Sequence, residues 1–217
     1  LVVGASGATG RLLVKELLQR GHGVKAVVRQ GSSLPQDEQN HANLELITAT
    51  VLDLGIDELA GHLADCQAVA SCLGHRLNFR GIYGPPQRLV TDATRRLCEA
   101  IRVGQPEEPV KFVLMNTTGN RNGDLNEPIS RGESFVIALL RLLLPPHVDN
   151  EQAAEYLRTS VGQNNPDVAW AAVRPDNLVD MDQVTDYEVH GSPTRSAIFD
   201  AGKTSRINVG HFMADLI

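Results

Sequence analysis

Three glycines set three apart, Gly4, Gly7 and Gly10, stand where an apolar run ends and a helical pattern begins. That spacing suits the capture of a diphosphate. A tight turn needs a residue that accepts positive φ. A backbone that approaches phosphate cannot carry a side chain at the contact, and a helix packed on a strand needs a small residue at the crossing. The N–H groups at the start of the helix then face the anion. Ser6 and Thr9 can add hydroxyl donors. A glycine triplet alone is a weak signal, so its neighbours matter. Residues 1–3 read as the end of a buried strand, and Leu12, Leu13, Leu17 and Leu18 repeat at helical spacing. Gly21 and Gly23 end that helix, and residues 24–28 form a second strand. The order is strand, turn, helix, strand: a βαβ unit.

The end of the second strand selects the nucleotide. A binder of NAD places Asp or Glu there to accept hydrogen bonds from the ribose. This chain has Val27-Val28-Arg29 followed by Gln30-Gly31-Ser32-Ser33, and no acid before Asp37. The Arg29 guanidinium offers a fork of donors suited to a 2′-phosphate. The expected cofactor is therefore NADP(H).

The chemistry beyond cofactor binding is defined partly by an absence. Dehydrogenation of alcohols with these cofactors commonly uses Tyr-x-x-x-Lys, in which the lysine lowers the phenol pKa. The three tyrosines, Tyr83, Tyr156 and Tyr187, are followed four residues on by Gln87, Ser160 and Gly191. The only lysines are Lys15, Lys25, Lys111 and Lys203. An acceptor that needs little acid help remains: a flavin, a quinone or a linear tetrapyrrole, whose conjugated rings spread the incoming charge. Thr117 and Thr118 follow a strand over 110–115, at the sheet edge where ligands bind, and are candidate catalytic residues. Simple strand termination is the competing reading for both. Water, either threonine or His147 can bring the proton.

Elements alternate along the chain. Strands are expected over 44–48, 68–73, 110–115 and 168–173. Helices are expected over 56–63, from Pro85 or Pro86 to about Val103, and over 153–161. Such alternation implies a parallel sheet covered on both faces. The apolar segment 135–144, closed by Pro145-Pro146, is too short to span a membrane and is expected as a helix over the active-site end of the sheet. A membrane foothold is the minor alternative, because Arg141 stands alone. His75 with Arg76 reads as a surface loop pair, His147 as a helix cap, and Tyr156, His211 and Phe212 as packing residues. Cys72 reads as a small buried side chain.

Composition narrows the class. The 217 residues carry a formal net charge of −6 with no basic run, which argues against nucleic acid as partner. Three cysteines without a C-x-x-C exclude a disulfide scaffold and point to a reducing, cytoplasmic setting. No H-E-x-x-H motif supports a metal, and no G-x-S-x-G elbow supports a hydrolase. Leu1 lies inside an apolar run, so the first strand is expected to extend upstream of it.

The pattern Gly-Ala-Ser-Gly-Ala-Thr-Gly at 4–10 resembles that of atypical short-chain dehydrogenase/reductases, of the NmrA-like and NAD(P)H-binding kind, a group that includes flavin reductases. The likeness continues at Cys72-Leu73-Gly74, Asn116-Thr117-Thr118, Val173-Arg174-Pro175 and Thr204-Ser205-Arg206-Ile207. It implies an α/β fold with a doubly wound parallel sheet (an NAD(P)-binding Rossmann fold), one domain over 1–217 and a small helical substrate lobe. It also implies roles. Gly4, Ser6, Gly7, Ala8, Thr9 and Gly10 would hold the pyrophosphate and ribose, and Arg29 with Ser32 or Ser33 the 2′-phosphate. Thr50 and Val51 would lie by the adenine, although relatives often carry Asp where Thr50 stands. Cys72, Leu73 and Gly74 would pass near the nicotinamide ribose, and Pro175 would face the carboxamide. Asn177 stands where a flavin reductase of the group has His. The implied activity is hydride transfer from NADPH to a small conjugated acceptor, by a monomer or weak dimer. The alternative is a non-catalytic sensor that passes NADP state to a partner protein.

Overall fold

The computed structural model describes residues 1–76, 78–125 and 127–217. Six parallel strands form the central sheet: β1 (Val2–Val3), β2 (Val24–Val28), β3 (Leu44–Thr48), β4 (Ala68–Ser71), β5 (Val110–Met115) and β6 (Val168–Val173). Their spatial order is β3-β2-β1-β4-β5-β6. The order reverses between β1 and β4, and ligands of such sheets bind at that switch point, beyond the carboxyl ends of the strands.

Alternation along each strand builds two cores. Val3, Val27, Val69, Phe112 and Leu114 point to one face. There they meet α3 (Ile56–Leu63), α5 (Leu89–Gly104) and α7 (Pro145–Tyr156) through Leu59, Leu97 and Ala153. Val2, Ala26, Val28, Ala70 and Val113 point to the other. That face is covered by α1 (Gly10–Gln19) through Leu13, Val14 and Leu17, and by α8 (Arg206–Asp215) through Met213. Both faces are buried, which is why the strands are nearly continuous in Val, Ile, Leu and Ala.

Several expected boundaries move. β4 stops at Ser71 because its neighbour β1 ends at Val3, the residue paired with Ser71. The helix expected from Pro85 or Pro86 begins at Leu89. A carboxylate from α7 meets its first amides there, a partner that sits 58 residues away. A four-residue helix α2 (Gln36–Gln39) and a short α4 (Phe79–Tyr83) were not foreseen. α7 runs on into a π-helical turn over Leu157–Val161. The apolar segment forms α6 (Arg131–Leu143), with the Ser130 hydroxyl accepting from the Glu133 N–H at 3.1 Å. It rests beside α7, and Ile137 alone among its residues is buried. After β6 the chain is largely irregular, apart from the parallel pair β7 (Asn177–Val179) and β8 (Lys203–Ser205).

Candidate cofactor and substrate site

The glycine turn is built by close backbone approach. Gly4 has φ +73°, and a Cβ there would sit 2.6 Å from the Cys72 carbonyl carbon and oxygen. A Cβ on Gly10 would sit 2.2 Å from the Gly4 oxygen. These two glycines let β1, β4 and α1 converge at the switch point. Gly7 donates to the Gly4 oxygen at 2.9 Å, and Arg11 donates to the Gly7 oxygen at 3.0 Å. The N–H groups of Ser6, Ala8, Thr9 and Gly10 make no hydrogen bond among the described residues. No side chain caps the helix, since Thr9 makes no capping bond and the first turn holds no acid. An uncapped helix start with four free amides, opened to solvent at Gly7 and Ala8, is a seat for an anion. The residues present therefore fit a dinucleotide diphosphate.

The adenosine end lies beside it. Val27 of β2 pairs with Val3, so Arg29 leaves the sheet next to the turn. Arg29 is exposed and forms no ion pair among the described residues. Its carbonyl accepts from the Ser32 N–H at 2.9 Å, which brings Ser32 back beside it. The sequence reading passed over Arg11 and Lys15. Their field reaches Glu38 on α2, so both stand on the side of α1 turned toward the segment after β2. Two cations four apart just after the third glycine were the available signal. Thr50 is half-buried, whereas the Val51 side chain belongs to the core and leaves only its backbone for an adenine.

At the exit of β4, Cys72 turns its sulfur toward Met213, inside the α1–α8 core. Burial pushes its thiol up to about 12, and that of Cys98 likewise. Native protein should therefore titrate with a disulfide reagent at no more than one thiol, Cys66, and at all three after denaturation. Rapid native labelling of Cys72 would mean that the β4 exit opens. Leu73 is half-buried and Gly74 exposed.

His75 corrects the surface-loop expectation. Its Nε2 lies 2.7 Å from Asp149 Oδ2 and its Nδ1 3.2 Å from the Gly81 carbonyl, so the ring bridges α7 and α4 from inside. Asp149 also accepts from the Val90 and Thr91 N–H groups at 2.8 and 2.9 Å. Burial alone would raise its carboxyl. The bonds from His75, Thr91 and Val90 outweigh burial and hold it below its ordinary value. Nothing in the sequence marked Asp149, because its partners are remote.

Beyond β5, the buried Asn116 fixes the exit. Its Nδ2 donates to the Asn150 carbonyl at 2.9 Å and its Oδ1 accepts from the Thr117 N–H at 2.8 Å. Thr118 donates its N–H to Pro175 at 3.2 Å, tying the β5 and β6 exits together. The Thr117 hydroxyl accepts from the Gly119 N–H at 3.3 Å. A Cβ on Gly119 would lie 3.7 Å from Thr117 Oγ1 and 3.6 Å from His147 Cε1, so Thr117 and His147 border one spot. His147 lies inside the first turn of α7 instead of capping it. Its buried Nε2 has no hydrogen bond and stands 3.4 Å from Glu151 Oε1, a close contact without hydrogen-bond alignment. Burial would raise the Glu151 carboxyl, but His147 and the two-pronged Arg141 bring it down to about 2.

Tyr187 lines one groove with Thr118, and Tyr83 and Tyr156 lie outside it. Tyr156 packs against the core with Arg95 over its ring, as expected. The Tyr83 hydroxyl donates to Leu143, and that of Tyr187 lies 2.8 Å from His211 Nδ1. Phe212 is half-buried and packs against the α1–α8 core, as expected, whereas His211 is half-buried at the side of α8 and belongs to neither core. Thr118 and Pro175 open one end of a groove of about 1100 Å³ that runs along β6 past Trp170, with residues 187–194 opposite. Arg174 is held by Glu127 at 2.7 and 3.0 Å, which pins the loop after β5 to the end of β6. Among the described residues, no three His, Cys, Asp or Glu side chains gather in a metal-holding group.

Comparisons with known proteins give the family and support the fold. A family model described as NAD(P)H-binding matches residues 4–217. An uncharacterized chloroplastic protein of Arabidopsis thaliana, At2g34460, is 30% identical over 178 residues, which are 82% of this chain and 58% of that protein. The chain thus spans a little over half the length of that curated relative. Among solved structures, a short-chain dehydrogenase/reductase of Veillonella parvula in complex with NADP superposes with a TM-score of 0.67 at 16% identity. That match covers 99% of this chain and 84% of the other. A proposed NADH-flavin reductase of Streptococcus pneumoniae gives 0.65 at 18% identity, over 99% and 90% of the two chains.

Proposed function

We propose, from the premise that this chain belongs to the NAD(P)H-binding family, that it transfers hydride from NADPH to a flat conjugated acceptor such as a flavin or quinone. The observation that carries this reading is the uncapped start of α1, where the amides of Ser6, Ala8, Thr9 and Gly10 and the neighbouring Arg29 have no partner among the described residues. The amides hold the diphosphate. Arg29 and Ser32 hold the 2′-phosphate, supported by the field of Arg11 and Lys15. Thr50 and the Val51 backbone border the adenine, the Cys72–Gly74 backbone borders the ribose of the nicotinamide, and Pro175 faces its carboxamide.

Bound NADPH supplies the hydride; the protein aligns two flat rings and manages one proton. The Tyr83 hydroxyl is bonded to Leu143, Tyr156 is packed on the core and the Tyr187 hydroxyl meets His211, so the mechanism uses no phenol acid. Thr117, Thr118 and His147 line the place where a proton is needed. The Thr117 hydroxyl only accepts from Gly119 and keeps its own hydrogen to donate, so either threonine or His147 carries the proton, and Glu151, clamped by Arg141, positions the His147 ring.

Mixing the protein with NADPH and a panel of flavins and quinones, and following the reduced-nicotinamide absorbance, tests the reading. Steady turnover is the expected result. Tight NADPH binding with no turnover on any acceptor would favour the non-catalytic sensor. Arg29→Ala is expected to weaken NADPH by about 10- to 100-fold, the worth of roughly 1.5–3 kcal/mol for a charge-assisted bond, and to leave NADH almost unchanged. Equal loss for both would remove the 2′-phosphate assignment.

A further inference from the structure

We infer that α6 and α4 form a docking face for an anionic lipid surface, so that the acceptor of the reaction proposed above is a lipid-borne quinone. α6 is apolar all round from Phe135 to Leu144 except at Arg141. Such a helix belongs in a core or against a membrane, yet this one buries only Ile137. Phe135, Leu139, Leu142 and Leu143 recur at intervals of three, four and eight and share one outward stripe. Phe135 is 70% exposed and Leu142 78%. The stripe continues at both ends. At the amino end, the Phe199 ring lies 3.5 Å from where a Cβ on Gly132 would be. At the carboxyl end, the Tyr83 hydroxyl bonds to the Leu143 carbonyl, and the Tyr83 ring packs, tilted by 51°, at 5.1 Å from that of Phe79, itself 81% exposed.

Charge identifies the occupant. Residues 73–91 hold Arg76, Arg80 and Arg88 and no acid. Arg76 and Arg80 form no ion pair among the described residues, and Arg88 has only a loose contact with Asp92 at 3.8 Å. Arg131 is exposed at the other end of α6. Glu151 takes up the charge of Arg141, so Arg76, Arg80 and Arg131 against Glu133 leave this face a small cationic excess in a chain whose formal net charge is −6. A second copy meeting it face to face would repeat the same arginines, since a two-fold interface uses one patch twice. Bulky apolar and aromatic side chains flanked by arginine suit the boundary of an anionic bilayer. Arg141 stands alone in the sequence of α6, and the bond from Tyr83 to Leu143 brings α4, with Arg80, to the carboxyl end of that helix. α6 runs into α7 at Leu144, whose carbonyl accepts from the His147 N–H at 2.9 Å, so the carboxyl end of the stripe lies next to His147. No helix of the described residues is long and apolar enough to cross a membrane, so the chain would rest on the surface.

The full chain should float with vesicles of phosphatidylcholine and phosphatidylglycerol, be released by high salt, and stay behind with pure phosphatidylcholine. Arg80→Ala should weaken vesicle binding about fivefold, the share of one cation near an anionic surface. Phe135→Ser with Leu142→Ser should weaken it more than tenfold while NADPH affinity stays as in the parent. Absence of flotation, or flotation indifferent to both sets of variants, would overturn the inference. So would sedimentation of a dimer in lipid-free buffer that the double variant dissolves, because a second copy would then cover the stripe. Vesicle binding is read without turnover, so its failure leaves the reductase reading standing. Turnover only with water-soluble flavins, on protein that floats, would refute the quinone alone.

Discussion

Asp149→Ala is expected to cost about 3–5 kcal/mol of folding stability, the usual loss when one partner of a buried pair is removed. For a domain of this size that lowers Tm by roughly 6–20 °C, readable in a thermal melt. Both side chains of the pair are nearly sealed, His75 at 5% and Asp149 at 1% exposure. Removing the carboxylate strands the His75 ring against the Gly81 carbonyl and leaves the Val90 and Thr91 amides of α5 without an acceptor. The pH dependence has a fixed sign. The Asp149 carboxyl titrates below its ordinary value of 3.8 in the folded chain. Its contribution is therefore complete above about pH 4 and is lost as the pH falls through the folded value. Glu151, at about 2, acts in the same direction. The parent protein should lose stability more steeply below pH 4 than Asp149→Ala does. Identical acid profiles would mean that Asp149 is not the carboxylate that holds α5.

Gly10→Ala is expected to reduce NADPH affinity and turnover on the order of 100-fold, the scale of an ångström of misplacement at a reacting site. The added Cβ would meet the Gly4 oxygen at 2.2 Å, the Gly4 carbon at 2.9 Å and the Ala5 Cα at 3.1 Å, all of them backbone. Ordinary contact requires over an ångström more, so α1 must move off the turn, and its free amides move with it. Gly7→Ala is the control. Its Cβ would lie 3.1 Å from the same oxygen and otherwise only 4.0 Å from the Cys72 carbonyl, so a smaller loss is expected. Fluorescence titration with NADPH and a circular-dichroism melt separate lost binding from lost fold. Wild-type affinity in Gly10→Ala would show that the turn does not seat the cofactor.

The sequence by itself determined the glycine turn, the βαβ opening and the alternation that became a six-stranded parallel sheet. These follow from spacing within a few residues: glycine where backbones meet, period two in buried strands, and leucines at helical intervals in α1. It also determined that no Tyr-x-x-x-Lys pair exists, which is a property of order along the chain. Only the tertiary structure decided the rest. Asp149 became the acceptor at the start of α5, and so moved that start to Leu89, because α7 folds against it. His75 went inside, and His147 came to border Thr117. α6 was left with an open apolar face that its local pattern assigned to the interior. Contacts between residues dozens of positions apart leave no period in the chain; burial and pairing are fixed when the helices pack on the sheet and desolvate those groups together.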